Sequence, residues 1–118
     1  MSDQRLSLYL PTTPSDARAV SVLHCGFLFK KGERNMFSWK YRYFTLKSNG
    51  DLVYSENTAS VQSIGSVSLN MVSICSQDPK SPVHFSVQSA PQARKYFMKA
   101  NSAEECAAWV AKISVRVL

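Results

Sequence analysis

From Val22 onward, apolar and polar residues alternate in short runs that are separated by turn-forming residues. Runs of this kind, rich in aromatic and β-branched residues, are typical of half-buried strands. The Asn49-Gly50 pair between two such runs is a strong hairpin signal. The pattern predicts seven strands, at residues 22–32, 39–47, 52–55, 64–69, 71–76, 83–88 and 94–100.

A helical period replaces the alternation at the C-terminus. Ser102 followed by Glu105 forms a capping-box sequence, which marks the start of a helix. The apolar stripe of this helix is predicted at Ala103, Cys106, Val110, Ile113 and Val117, with Trp109 beside it. Such a helix has to bury its apolar face, so we expect it to pack against an open end of the strand assembly. We therefore predict a mostly β fold with one C-terminal α-helix, a seven-stranded antiparallel sandwich or partly open barrel capped by the helix.

The 118 residues suit one domain, expected at 21–118 after a flexible lead-in at 1–20 in which Leu6, Leu8 and Leu10 alternate. No run of 18 apolar residues occurs, and the N-terminus lacks the features of a secretory signal. The cysteines are odd in number and far apart, which favours small buried thiols in a reducing compartment. A cytoplasmic location is therefore expected.

The net charge of +6 is concentrated in one segment. Residues 30–47 contain six cations against one carboxylate, Glu33, a net charge of +5. Clustered positive charge favours an anionic partner, which leaves a phosphate-bearing lipid surface, a nucleic acid or an acidic protein. A basic face that serves only solubility is the other interpretation.

Strand periodicity indicates where these cations point. Lys40 and Arg42 share a face of their strand with Phe44 and the leucine two residues further, which look like core residues. Lys30 follows Leu28 on the same face of the preceding strand. The hairpin between the strands should therefore bring three cations together at one mouth of the barrel. They either bind a polyanion there, pair with Glu33 or Glu56, or extend to water.

Two other function classes are disfavoured. No nucleophile elbow, phosphate loop, paired catalytic carboxylates or metal cluster appears, so no enzymatic activity, cofactor or metal is expected. His24 and His84 are interpreted as ordinary strand residues. Nucleic-acid binding needs aromatic residues and cations on one exposed surface. The aromatic residues of WKYRY lie on the face opposite Lys40 and Arg42, so no nucleic-acid partner is expected.

The order of these segments resembles the pleckstrin-homology (PH) domain family. The similarity covers residues 22–117 and rests on five pieces in order: CGFLFKKG, WKYRYFTL, LVYS, IGSVSL and KYFMKANSAEECAAWVAKI. The resemblance implies two near-orthogonal antiparallel sheets, of four and three strands, with the helix closing one corner. It also implies a lipid site at the open end, between the first strands.

The resemblance assigns roles to residues of this site. Lys30 and Arg42 would contact ring phosphates with Lys40 beside them, and Tyr54 matches a tyrosine whose hydroxyl often reaches a phosphate. Ordinary strand packing is the other interpretation of Tyr54. Two cations in or beside the 31–38 loop, Lys31 and Arg34, would touch phosphate or the lipid surface. The apolar residues Met36 and Phe37 of the same loop would either enter the headgroup region or fold back onto the protein.

We therefore predict a monomeric signalling adaptor module that binds phosphoinositide headgroups. It would recruit a larger protein reversibly to membranes and would be the N-terminal piece of that protein. The alternative is a protein-interaction module of the same fold with only weak, nonspecific lipid binding. Glu56 stands where tight binders often have another cation, and the 31–38 loop is short. Both features argue for moderate affinity and limited headgroup selectivity.

Overall fold

A computed structural model describes residues 19–32, 34, 37–60 and 62–116, so most of the predicted lead-in lies outside the described residues. Seven strands and one helix form within this part of the chain: β1 (Val22–Lys31), β2 (Trp39–Lys47), β3 (Asp51–Ser55), β4 (Gly65–Ser68), β5 (Ile74–Gln77), β6 (His84–Gln88), β7 (Tyr96–Lys99) and α1 (Ala103–Arg116). No helix among the described residues has the length and apolar character needed to cross a bilayer.

The strands form one antiparallel sheet in the order β4-β3-β2-β1-β7-β6-β5. The predicted groups of four and three strands are joined where β1 pairs with β7, through Phe29 with Lys99 and Lys30 with Met98. The resemblance implied two sheets, whereas the structure hydrogen-bonds both groups into one. The end strands β4 and β5 do not pair with each other, so the barrel is not closed. The predicted fold class is confirmed.

Alternation places the core on one side of this sheet, its inner face. Leu28, Phe44 and Leu46 are fully buried there, as the sequence pattern predicts. Burying a side chain of this size contributes about 1.5–3 kcal/mol to stability. The core cluster is completed by β3 to β7 and α1, with Leu52, Val67, Leu69, Phe85, Val87, Met98, Ala100, Cys106, Trp109 and Ile113.

The turns follow the local chemistry of asparagine and glycine. Between β2 and β3, Gly50 adopts a φ of 97°, and Asn49 Oδ1 accepts the Asp51 backbone N–H at 3.0 Å. This confirms the predicted hairpin.

One predicted strand begins later than expected. Met71 and Val72 lie in a turn and are 78% and 57% exposed. Asn70 Oδ1 accepts the Val72 N–H at 2.9 Å, and Ser73 Oγ accepts the Asn70 N–H at 2.9 Å. These side-chain hydrogen bonds compete with the sheet ladder and delay the strand to Ile74.

Helix α1 begins where the capping sequence predicts. Ser102 Oγ accepts the Glu105 N–H at 3.1 Å, which satisfies one unpaired donor of the first turn. The buried stripe differs from the prediction, because Trp109 is at its centre, 1% exposed, while Ala103 is exposed. Val117 lies outside the described residues.

The cysteines correct one expectation. Cys106 is buried and Cys75 is half-buried, but Cys25 is exposed, because strand parity places it on the face opposite the core. Burial, and then the neighbouring Cys106, raise the pKa of Cys75 to about 11. Burial also raises the pKa of Cys106, although its contact with Gln77 opposes the shift. Both core thiols therefore stay protonated at neutral pH, as structural cysteines do.

Candidate functional site

The β1–β2 hairpin brings the predicted cations together. Lys30 and Lys40 are direct cross-strand partners, and Gly32 N–H donates to the Ser38 carbonyl at 2.8 Å to close the loop. Like charges directly opposite each other on neighbouring strands are destabilising. This pair lies at the open mouth of the sheet.

The inner face of β2 changes from apolar to cationic along the strand. Phe44 is fully buried, Arg42 is half-buried and Lys40 is exposed. Arg42 Nη1 donates to the backbone carbonyl of Tyr41 at 3.1 Å, which fixes one side of the guanidinium. Among the described residues, neither Lys40 nor Arg42 forms an ion pair with a carboxylate.

Tyr54 forms the wall beside these cations. Its ring centre lies 5.2 Å from that of Phe44, and Lys30 Nζ lies 5.2 Å from the Tyr54 ring centre. The cation–π contact holds the ammonium at the edge of the core. The packing interpretation of Tyr54 is therefore observed, and it leaves the tyrosine at the same mouth as the lysine.

These residues enclose one open cavity of about 590 Å³. We call it the basic cleft and define it by its lining residues: Lys30, Gly32, Arg34, Ser38, Lys40, Arg42, Tyr54 and Ile64. Four of them are cations and none is acidic. Within the described part of the chain, the cleft therefore concentrates positive charge in a concave surface, which focuses the field on an anion.

Two other predicted site residues, Lys31 and Phe37, are not among the residues that line the cleft. Lys31 points to the opposite face of the sheet, with its Nζ 5.6 Å from the ring centre of Trp39. Phe37 is 94% exposed, so its ring does not fold back into the barrel. Met36 lies outside the described residues, as does Glu33. Glu56 is exposed and is not among the residues that line the cleft.

Sequence reasoning missed three lining residues, Gly32, Ser38 and Ile64. Ile64 reaches the cleft because its backbone N–H donates to the Tyr54 carbonyl at 2.8 Å, which places it beside the tyrosine. It is 54% exposed there. The pairing of LVYS with IGSVSL would have predicted this position, since it sets Gly65 opposite Tyr54.

Both histidine rings contact neighbouring side chains. The His24 ring meets the edge of Trp109 with centroids 4.5 Å apart, and His84 Nδ1 lies 2.6 Å from Ser81 Oγ. Burial lowers the pKa of His24, Lys112 lowers it further, and Glu105 opposes the shift. The described residues contain no group of three or more His, Cys, Asp or Glu side chains that would hold a metal ion.

Comparison with solved structures identifies the same fold in other proteins. The C-terminal PH domain of pleckstrin in complex with D-myo-Ins(1,2,3,4,5)P5 matches with a TM-score of 0.72 and 21% identity, over 83% of this chain and 100% of that one. The PH domain of human oxysterol binding protein-related protein 11 matches with a TM-score of 0.70 and 23% identity, over 88% and 86%. The Slm1-PH domain in complex with phosphoserine gives 0.68 and 16%, over 81% and 95%.

The sequence itself gives the family assignment. A search of curated protein sequences found no significant match. Residues 22–117 match the family model of the PH domain, and this range contains all seven strands and the whole of α1. The chain therefore belongs to the PH domain family.

Proposed function

We propose that this protein is a phosphoinositide-binding module that recruits a larger protein to anionic membranes. The observation that supports this proposal most strongly is the basic cleft, a cavity of about 590 Å³ whose described lining residues include four cations and no carboxylate. Phosphorylated inositol headgroups are small, highly charged anions, and a concave cationic site of this size suits them.

The comparisons support a ligand-binding role of this kind. Structurally similar PH domains were solved in complex with an inositol pentakisphosphate and with phosphoserine. PH domains are generally non-enzymatic binding modules. We assign residues 21–118 to one such module. It would act in the cytoplasm and associate reversibly with membranes.

The cleft residues take different roles in the proposal. Arg42 grips a ring phosphate with two parallel hydrogen bonds, because its guanidinium is planar and already oriented by the Tyr41 carbonyl. Lys30 and Lys40 supply mobile point charges on either side. Arg34 contributes a fourth charge from the loop, and Tyr54 offers its hydroxyl.

Charge alone does not give strong membrane binding. Each cation near an anionic leaflet contributes roughly 1 kcal/mol, so four contribute roughly 4 kcal/mol. That free energy corresponds to a dissociation constant on the order of 1 mM. Firm recruitment therefore requires oriented hydrogen bonds to one headgroup, with the exposed Phe37 as a further contact to the bilayer surface.

Sedimentation with liposomes tests the proposal. Vesicles of neutral lipid are doped with one phosphoinositide at a time, or with phosphatidylserine at matched charge, and the bound fraction is measured. Wild type should be enriched on at least one phosphoinositide over phosphatidylserine. The double variant Lys40→Ala and Arg42→Ala should lose about tenfold or more in affinity, since it removes two of four cations and the bidentate contact.

A charge-matched control separates the cleft from net charge. Lys80→Ala with Lys112→Ala removes two exposed cations outside the cleft and should keep the phosphoinositide enrichment. If wild type shows no enrichment over phosphatidylserine, or if both double variants lose binding equally, specific headgroup recognition is refuted. The protein-interaction alternative would then remain.

A further inference from the structure

The face of the sheet opposite the core, its outer face, is unusually aromatic. Antiparallel sheets that cover a core on one side commonly present polar residues on the other. Here the neighbouring strands β2, β1 and β7 carry a continuous group of rings: Trp39, Tyr41, Tyr43, Phe27, Phe29 and Phe97. Tyr41 and Phe97 are 42% and 40% exposed. Aromatic residues are enriched at protein–protein interfaces, where they provide much of the binding free energy.

Three lysines lie over this group of rings. Lys31 Nζ is 5.6 Å from the ring centres of both Trp39 and Phe97. Lys99 Nζ is 5.5 Å from the Phe29 ring centre, and Lys95 Nζ is 6.0 Å from that of Phe97. Within β2 itself, strand parity places the cations Lys40 and Arg42 on the face opposite Trp39, Tyr41 and Tyr43. Lys31 of β1, Lys99 of β7 and Lys95 just before β7 supply cations to the aromatic side as well.

A groove of about 400 Å³ lies at one end of this surface. Trp39, Phe97 and Pro79 are among its lining residues, together with Lys31 and His84. Asp78 is the one acid among the lining residues, and its Oδ1 accepts the Lys80 backbone N–H at 2.8 Å. The groove therefore combines apolar and aromatic walls with polar groups, and Lys31 is the lysine among its lining residues.

The state of the ring faces decides between two anionic partners. Single-stranded nucleic acid binds by stacking bases on free aromatic faces. On this surface, Phe27 and Tyr41 stack on each other at 4.9 Å with their planes 10° apart. The rings of Trp39, Phe97 and Phe29 each lie under a lysine ammonium. Bases would have to displace these contacts, whereas carboxylates can reach the ammonium groups directly.

We propose that the outer face binds an extended acidic peptide of a protein partner. One apolar side chain of the peptide occupies the groove beside Trp39 and Phe97, and its carboxylates contact Lys31, Lys95 and Lys99. The basic cleft opens on the inner face of the sheet, so this site is independent of headgroup binding. Both ligands can be held at once, and two weak contacts of this kind multiply in effect.

Fluorescence anisotropy tests the proposal with a fluorescein-labelled octapeptide in which Glu alternates with Phe and Leu. We expect saturable binding with a dissociation constant between about 0.1 and 1 mM, the range of a small and polar contact. Lys31→Ala with Lys99→Ala should weaken it about threefold to tenfold, since exposed charge pairs contribute modestly. Lys40→Ala with Arg42→Ala removes the same charge from the cleft and should leave the dissociation constant of the peptide within about twofold of wild type.

Two comparison ligands make the test decisive. A peptide with Lys in place of every Glu should not bind, and a labelled oligothymidylate should bind more weakly than the acidic peptide. The proposal is wrong if the acidic peptide does not saturate, if the cleft variant loses as much affinity as the outer-face variant, or if the oligothymidylate is the tighter ligand. Thermal unfolding of each variant confirms that it is folded.

Discussion

At the scale of single residues, the shape of the basic cleft depends on Gly65 as well as on its cations. Gly65 is the cross-strand partner of Tyr54. A Cβ atom at this position would lie 2.5 Å from the Tyr54 hydroxyl and 2.7 Å from Cζ of the ring. The tyrosine can therefore keep its place against Phe44 and Lys30 only while residue 65 has no side chain.

Substitution of this glycine should disturb both stability and binding. We expect Gly65→Ala to lower the free energy of unfolding by about 1–3 kcal/mol, the usual cost of overpacking, and to weaken headgroup binding because Tyr54 moves. Urea unfolding measures the first effect and liposome sedimentation the second. In the matched control Gly26→Ala, the new Cβ would lie 3.8 Å from Trp109, an ordinary contact, so stability should change little. Equal losses in the two variants would contradict this role of Gly65.

The residues predictable from sequence were those whose direction follows from strand parity. Lys30, Lys40 and Arg42 each alternate with core residues, so their convergence could be inferred from β1 and β2 alone. Ser38 and Ile64 line the same cleft through the loop and through the pairing of β3 with β4. Such contacts depend on tertiary arrangement, which periodicity along one strand does not contain.

At the scale of elements, the packing of α1 on β1 contains a titratable contact. The His24 ring of β1 is nearly perpendicular to the Trp109 ring of the helix, with planes at 82° and centroids 4.5 Å apart. Lys112 and Glu105 are the charged groups of the helix that act on it, and burial is the largest influence. Because burial and Lys112 disfavour the imidazolium, the pKa of His24 in the folded protein lies below its ordinary value of 6.5.

This contact predicts a pH dependence of stability. With a lowered pKa in the folded state, the unfolded chain binds more protons than the folded one between the two pKa values. The free energy of unfolding should therefore fall as the pH drops below about 6.5, until the folded pKa is passed. Urea unfolding of wild type and of His24→Gln across this window should show a smaller loss in the variant. If the free energy of unfolding depends on pH equally in the two proteins, His24 does not cause the loss of stability.

Elements were predicted best where long runs alternate without competing side-chain bonds. The boundaries of β2 match the prediction, and the start of α1 follows its capping serine. The start of β5 was missed because Asn70 and Ser73 hold a turn through residues that look strand-forming. Local hydrogen bonds of this kind override the propensity of Met71 and Val72.

At the scale of the whole molecule, the sheet separates two cationic surfaces. The inner face opens into the basic cleft at the end of β1 and β2, and the outer face carries aromatic rings with lysines over them. Four cations line the cleft and three lysines lie over the outer-face rings, so positive charge gathers in two places with different chemistry. The sequence predicted the first place because its cations adjoin core residues. It could not predict the second, since Lys31, Lys95 and Lys99 meet only after β1 and β7 pair.

The most direct test of the basic cleft is a titration of ¹⁵N-labelled protein with soluble inositol trisphosphate, followed by ¹H–¹⁵N correlation spectra. We predict saturable shifts of the backbone amides at Gly32, Ser38, Lys40, Arg42 and Ile64, with the outer-face amides of Phe97 and Lys99 unchanged. Two results would contradict headgroup binding in the basic cleft. One is the absence of saturable shifts up to a few mM of ligand, because the affinity would then be weaker than charge alone would give. The other is a set of shifts confined to the outer face.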